Sequence, residues 1–293
     1  KITCVLPFFM TLAYLFYVRQ PVNLTLTTVF FGSMLLLDLA VTAVNNYIDS
    51  RAFPEMLPFS RPAALGILLT LLLSGAGLGL YLAFRTDVVV LLIGGLCALG
   101  GVLYTFGPVP ISRLPLGELF SGILEGVCIP FLLLYINMPE DTFLSLRLRL
   151  SAVDLTLYPL PLATVLLFAA VPAVCTANIM LANNICDLEK DMSVNRYTLP
   201  FFLGKSRAVT LFGLLYYLAF LVPCFLVLLG VLPSPCLLLL LLIPPVRKNL
   251  KAFRREQRKE TTFHVAIKNY VLLVGGYTVY LFLGGVLDRI LHG

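Results

Sequence analysis

The sequence predicts an all-α, polytopic membrane protein of nine transmembrane helices arranged as a duplicated helical bundle. Three observations carry that reading: an apolar composition, nine apolar runs of spanning length, and a polar motif that occurs twice. Of 293 residues, 59% are hydrophobic and only 12% charged, and the mean hydropathy is +0.96. Soluble domains run at about 45–50% apolar and about 25% charged, so a soluble globular domain, a disordered chain and a solenoid are all excluded.

The apolar runs fall at 2–18, 24–44, 62–84, 88–106, 116–136, 159–182, 208–229, 232–246 and 269–288. About 20 apolar residues cross the hydrocarbon core as a helix. The runs are too long and too uniformly apolar for barrel strands, which alternate every second residue. The first run follows Lys1 and lacks a small-x-small cleavage site before Gln20, so it reads as a span and not as a signal peptide. Run 232–246 is short and bracketed by Pro233, Pro235, Pro244 and Pro245, which predicts a tilted or broken helix. The chain reads as a single membrane-embedded domain, 1–293, with repeat halves of 1–136 and 137–293.

Nine spans put alternate loops on opposite faces, and the basic residues divide unevenly between them. One face holds Lys1, Arg51, Arg61, Arg113, Lys190, Arg196, Lys205, Arg207, Arg247, Lys248, Lys251, Arg254, Arg255, Arg258, Lys259 and Lys268, 16 of the 21 Lys and Arg. By the positive-inside rule this face and the N-terminus are cytoplasmic. The run Arg247–Lys259 is expected to lie against anionic headgroups, where each basic residue gains about 1 kcal/mol, so nucleic acid need not be invoked. The seven cysteines form no C-x-x-C pair and read as small core residues. His264 and His292 stand alone, which argues against a zinc site.

Asn45-Asn46-Tyr47-Ile48-Asp49 ends the second span, and Asn183-Asn184-Ile185-Cys186-Asp187 ends the sixth on the same face, 138 residues later. A repeated N-N-x-x-D at equivalent positions reads as internal duplication. On a continuing helix Asn183, Asp187 and Asp191 advance only about 40° per step and share one face. Asp38, Asn45 and Asp49 follow a similarly narrow stripe, with Asp38 deeper in the span, where an ionisable group reads as functional by default. Two facing carboxylate clusters repel unless a cation sits between them. Magnesium suits hard oxygen ligands and is commonly shared with substrate phosphates. Lys190 and Arg196 beside the acids complete a site for a polyanion, and diphosphate meets both requirements.

These motifs resemble the two aspartate-rich motifs of the UbiA superfamily of intramembrane aromatic prenyltransferases. Tyr104-Thr105-Phe106-Gly107-Pro108-Val109-Pro110-Ile111-Ser112, Leu116-Gly117-Glu118 and Asn195-Arg196-Tyr197-Thr198-Leu199 are similar to the group of 1,4-dihydroxy-2-naphthoate polyprenyltransferases. The resemblance implies a nine-helix fold and Mg2+-dependent transfer of a polyprenyl group from polyprenyl diphosphate to an aromatic acceptor, 1,4-dihydroxy-2-naphthoate, toward menaquinone. It implies Asp49, Asp187 and Asp191 as catalytic residues, and with Asn45 as metal ligands. It further implies Asn45, Asn183, Asn184, Lys190, Arg196, Tyr104 and Glu118 as substrate contacts. The first motif departs from the family pattern, because only Glu55, after Pro54, stands where a further acid is usual. A phenolic acceptor such as 4-hydroxybenzoate is the alternative within the class. A secondary transporter, built on Asp38, Glu118 and Glu125, is the alternative outside it.

Overall fold

The structure, a computed structural model, describes residues 1–50, 59–107, 110–149 and 151–292. The first half comprises α1 (Ile2–Tyr17), α2 (Leu24–Asp49), α3 (Arg61–Arg85), α4 (Val88–Thr105) and α5 (Gly117–Tyr135). The second comprises α6 (Pro159–Cys186), the short α7 (Leu188–Ser193) and α8 (Leu199–Leu203), α9 (Lys205–Leu228), α10 (Ile243–Arg255) and α11 (His264–His292). Local chemistry sets several starts. The Asn23 side chain accepts from the Leu26 N–H at 3.1 Å, and Asp87 accepts from Val89 and Val90 at 2.9 and 3.2 Å, so both act as N-caps. Proline in the first turn opens α3 and α6.

Among the described residues, six helices have the length and apolar content to cross a membrane: α2, α3, α5, α6, α9 and α11. The apolar helices α1 and α4 are shorter. The expected span at 232–246 forms instead a 3-10 segment, Ser234–Leu242, followed by α10. Pro244 and Pro245 explain the break, since proline is tolerated in a first turn and not in a helix interior. The basic run beyond them, expected as a loop, is largely helical. Val246, Leu250 and Phe253 recur at helical spacing and are buried, while the cations between them face outward.

The all-α expectation needs a second correction. Residues 144–157 form an antiparallel hairpin, β1 (Leu144–Arg149) with β2 (Ala152–Leu157). The pattern Leu-Ser-Leu-Arg-Leu-Arg alternates every second residue, which is a strand period. It escapes a search for spans because it is six residues long and lies between two of them.

In the bundle, α2 packs on α3, α6 on α9, and α1 on the C-terminal part of α11. Between α5 and α6 the backbones almost touch. A Cβ at Gly126 would stand 2.2 Å from the Ala173 Cα, so only glycine fits there. The core of the second half is aromatic, with Phe168, Phe212, Tyr216, Tyr270 and Tyr277 fully buried. Large apolar residues such as Leu73, Phe84, Leu96, Leu221 and Leu228 face outward, the arrangement expected where the surrounding solvent is lipid.

The polar contacts sort the two ends of the bundle. At one end Lys1 pairs with Asp38 at 2.9 Å, Arg61 stands 4.9 Å from the Tyr47 ring, and Lys259 pairs with Asp187. At the other, Arg19 pairs with Asp288 at 3.0 Å, Gln20 donates to the Asn137 carbonyl at 2.8 Å, and Tyr135 donates to Asp87.

Candidate active site

Both N-N-x-x-D motifs ride on helices that outlast their apolar runs. Helix α2 continues through Asn45 to Asp49, and α6 continues through Asn183 and Asn184 to Cys186. Asp187 then caps α6 and opens α7. The regular helix is interrupted at Asp187, yet the turn is kept. The Asp187 N–H donates to the Asn183 carbonyl at 2.9 Å, and the Asp191 N–H to the Asp187 carbonyl at 2.8 Å. The i, i+4, i+8 relation therefore survives in the backbone hydrogen bonds.

Asp191 is the most deeply placed acid of this set, 4% exposed. Its Oδ1 lies 3.6 Å from Arg196 Nη1, and its Oδ2 is buried without a partner among the described residues. Burial pushes the Asp191 carboxyl above the usual carboxylate range, and the Arg196 charge opposes that shift. Arg196 follows Asn195, whose φ of 54° is the left-handed conformation that asparagine accepts more readily than most residues. This kink returns the chain toward α6, and the Arg196 N–H donates to the Asp191 carbonyl at 2.9 Å.

The guanidinium is then fixed from further directions. Nε donates to the Ser112 carbonyl at 2.8 Å and Nη2 to Asn184 Oδ1 at 3.4 Å. Asn184 Nδ2 in turn donates to Glu118 Oε1 at 2.9 Å, and Glu118 Oε2 is buried without a partner among the described residues. Four side chains, Glu118, Asn184, Arg196 and Asp191, thus form one connected polar network drawn from α5, the end of α6 and the segment after it. Tyr104 packs beside it. Its hydroxyl donates to Met180 Sδ at 3.1 Å and lies 3.1 Å from where a Gly117 side chain would begin.

The remaining expected residues are placed less centrally. Asn183 is half-buried and Lys190 is exposed. Asn45 Oδ1 is buried without a hydrogen-bond partner among the described residues. The side chain of Asp49, with Arg51 and Glu55, lies outside the described residues. Sequence reasoning missed Lys259, which pairs with Asp187 across 72 positions of the chain. It is one of seven cations in the run 247–259, and nothing in that pattern singles it out. The Ser112 carbonyl was equally invisible, since any residue supplies one.

Along α2, one turn from Asn45, Val41 lines a cavity of about 350 Å³. Its walls are apolar, with Phe30, Met34, Leu37, Leu91 and Leu124 among them, and it also receives Asp38 and Glu125. The chamber thus lies along α2, one turn from the first N-N-x-x-D motif.

The sequence pattern of the UbiA prenyltransferase family matches residues 5–270. The chain belongs to the UbiA prenyltransferase family. It is 28% identical over 250 residues to the 1,4-dihydroxy-2-naphthoate octaprenyltransferase of Bacillus subtilis (strain 168), covering 80% of this chain and 72% of that one. Its fold is similar to the apo structure of a UbiA homolog from Aeropyrum pernix K1, with a TM-score of 0.64 and 17% identity over 97% of this chain and 98% of that chain. A UbiA homolog from Archaeoglobus fulgidus bound to GPP and Mg2+ gives a TM-score of 0.58 at 12% identity, over 97% and 96% of the two chains. This UbiA protein is therefore a prenyltransferase and an integral, multi-pass membrane protein. The transporter reading is set aside by the family match.

Proposed function

We propose that this prenyltransferase moves a polyprenyl group from polyprenyl diphosphate to 1,4-dihydroxy-2-naphthoate, toward menaquinone, with Mg2+ at the aspartate-rich motifs. The observation that carries the reading is the buried Asp191 Oδ2, without a partner among the described residues, beside an Arg196 guanidinium held by Ser112 and Asn184, with Asn45 Oδ1 a second such oxygen near the end of α2. Such oxygens fit a hard cation. Among the described residues no three His, Cys, Asp or Glu side chains converge on one point. Magnesium is commonly held by one or two carboxylates and completed by water and phosphate oxygens. Asn45, Asp49, Asp187 and Asp191 are the proposed ligands, and Mg2+ bound there supplies positive charge to the departing diphosphate.

The protein's own groups do the rest. Arg196, held by Ser112, Asn184 and Asp191, presents a pre-set guanidinium to the phosphate oxygens, with Lys259 and Lys190 as further cations. Glu118 and Asn184 hold Arg196 in place, which refines their expected role as direct substrate contacts. Asn183 lies on the same stripe as Asp187. The apolar chamber takes part of the isoprenoid chain and excludes water while the allylic carbon–oxygen bond breaks. The electron-rich ring carbon then attacks the allylic carbon, and the ring carboxylate leaves as carbon dioxide. The identity of the naphthoate acceptor is carried over from the relative in Bacillus subtilis.

We further read the chain as nine spans in two duplicated halves, in a bacterial cell membrane, with the basic end cytoplasmic. The test is transfer by the purified protein in liposomes, with Mg2+ or EDTA, offering 1,4-dihydroxy-2-naphthoate and 4-hydroxybenzoate separately. Magnesium-dependent product from the naphthoate is expected. Product from the benzoate alone would overturn the acceptor, and product undiminished in EDTA would overturn the metal.

A further inference from the structure

The hairpin between α5 and α6 has no role in the chemistry, and its two faces differ sharply. Cross-strand pairing places Leu144 opposite Leu157, Leu146 opposite Leu155 and Leu148 opposite Val153, all on one face. The other face carries Ser145 opposite Thr156, Arg147 opposite Asp154 and Arg149 opposite Ala152. On the apolar face Leu148, Val153, Leu155 and Leu157 are 58%, 67%, 57% and 55% exposed. The polar face is open to water at Asp154 and Thr156, and the hairpin meets the rest of the protein at its base, where Leu144 packs against the core and Leu146 reaches a cleft. Ser145 and Arg147 border a cleft shared with Arg85, Asp87 and Glu140, and Arg147 pairs with Asp141 at 3.5 Å.

A two-stranded hairpin is marginal in water unless its apolar face is covered. Among the described residues nothing covers Leu148, Val153, Leu155 and Leu157, although the base of the hairpin is firmly anchored. The Tyr158 N–H donates to the Phe143 carbonyl at 3.0 Å, and the buried Phe143 ring packs against Phe131 of α5, centroids 5.9 Å apart. The apolar face is also continuous with a lipid-facing surface. Beyond Leu157 the exposed series runs on through Leu160 and Leu166 of the spanning helix α6. Depth is limited by the backbone. Each strand has one unpaired edge, and open edges are not tolerated in the hydrocarbon region. The ion pairs of Arg147 with Asp141 at 3.5 Å and of Arg149 with Asp154 at 3.6 Å make the other face polar, as a segment at headgroup depth requires.

We propose that the hairpin is an interfacial anchor, lying in the headgroup layer at the end of the bundle opposite the active site, with its leucine and valine face turned into the acyl chains. The natural chain has no tryptophan, so a single introduced tryptophan reports its surroundings without background. Leu155→Trp and Leu148→Trp sample the apolar face and Thr156→Trp the polar one. Each full-length variant would be reconstituted in phosphatidylcholine vesicles, with or without lipids brominated near the headgroup end of the acyl chain. Retained prenyl transfer would establish that each variant is folded.

Blue-shifted emission from both leucine-site variants, largely lost in brominated lipid, is expected. Red-shifted emission from Thr156→Trp, open to acrylamide and spared by bromine, is the matching result. Adding Leu157→Asp to Leu148→Trp should lift the face out and move its emission to the red. Acrylamide-accessible, red-shifted emission from both leucine sites would overturn the proposal by placing that face in water. Blue-shifted emission insensitive to brominated lipid would overturn it in favour of a second protein copy.

Discussion

At the residue scale, Asp191 and Lys259 separate two kinds of contribution. Asp191 offers a buried oxygen with no partner among the described residues, so Asp191→Asn keeps the shape and removes the charge that the proposed metal would need. The expected outcome is a loss of turnover of about 10²–10³, the cost typical of removing one transition-state electrostatic contact, with the melting temperature nearly unchanged. Steady-state transfer and a thermal melt on the same preparation check both parts. Lys259 pairs with Asp187 from a distant loop. Lys259→Ala should raise the KM for polyprenyl diphosphate about tenfold to a hundredfold, the equivalent of one charge-assisted hydrogen bond of about 1.5–3 kcal/mol. An unchanged donor KM would show that Lys259 serves only the loop. Asp187 and Asp191 were singled out in sequence because their spacing has a helical meaning, and Arg196 because it lies beside them in a motif that resembles the family's. Lys259 was not, because its relevance arises only where the chain folds back onto Asp187.

At the element scale, the contact between α5 and α6 sets where Glu118 stands relative to Asn184. Gly126 is the closest point, and a Cβ there would clash with the Ala173 backbone, which cannot swing aside. Gly126→Val should therefore cost at least the about 1–3 kcal/mol of an overpacked core. It should also lower activity by parting Glu118 from Asn184 and loosening Arg196. Detergent melts and the donor KM together test this, and a variant as stable and active as the parent would refute it. Helix α10 makes the complementary point. Its buried stripe, Val246, Leu250 and Phe253, was present in a segment read for its charge alone. Phe253 is fully buried, and its ring packs at a tilt against Phe212 of α9, centroids 4.5 Å apart. Phe253→Ala should cost about 3–5 kcal/mol, measurable as a lower melting temperature.

At the scale of the whole molecule, the two motif helices come from opposite halves of the chain, so ligand binding should brace the bundle. Mg2+ together with a non-transferable polyprenyl diphosphate analogue should raise the melting temperature more than either alone. A saturating ligand present at a hundred times its Kd contributes about 2.7 kcal/mol. EDTA should abolish the joint effect, and a shift from the analogue that is indifferent to EDTA would argue against a shared metal.

The sequence by itself determined the membrane setting, the predominantly helical class and the family, and it nominated the acids at the two helix ends. These properties are written locally, in composition, in runs of spanning length and in spacings that fall on one helical face. Tertiary structure alone decided that Arg196 is held by Ser112 and Asn184, that Lys259 meets Asp187, and that Asn184 is oriented by Glu118. It also decided that 232–246 is not one helix and that 144–157 is a hairpin. The reason is physical. Each of those contacts joins residues far apart in the chain or depends on what a short segment packs against, and neither is encoded in a local pattern.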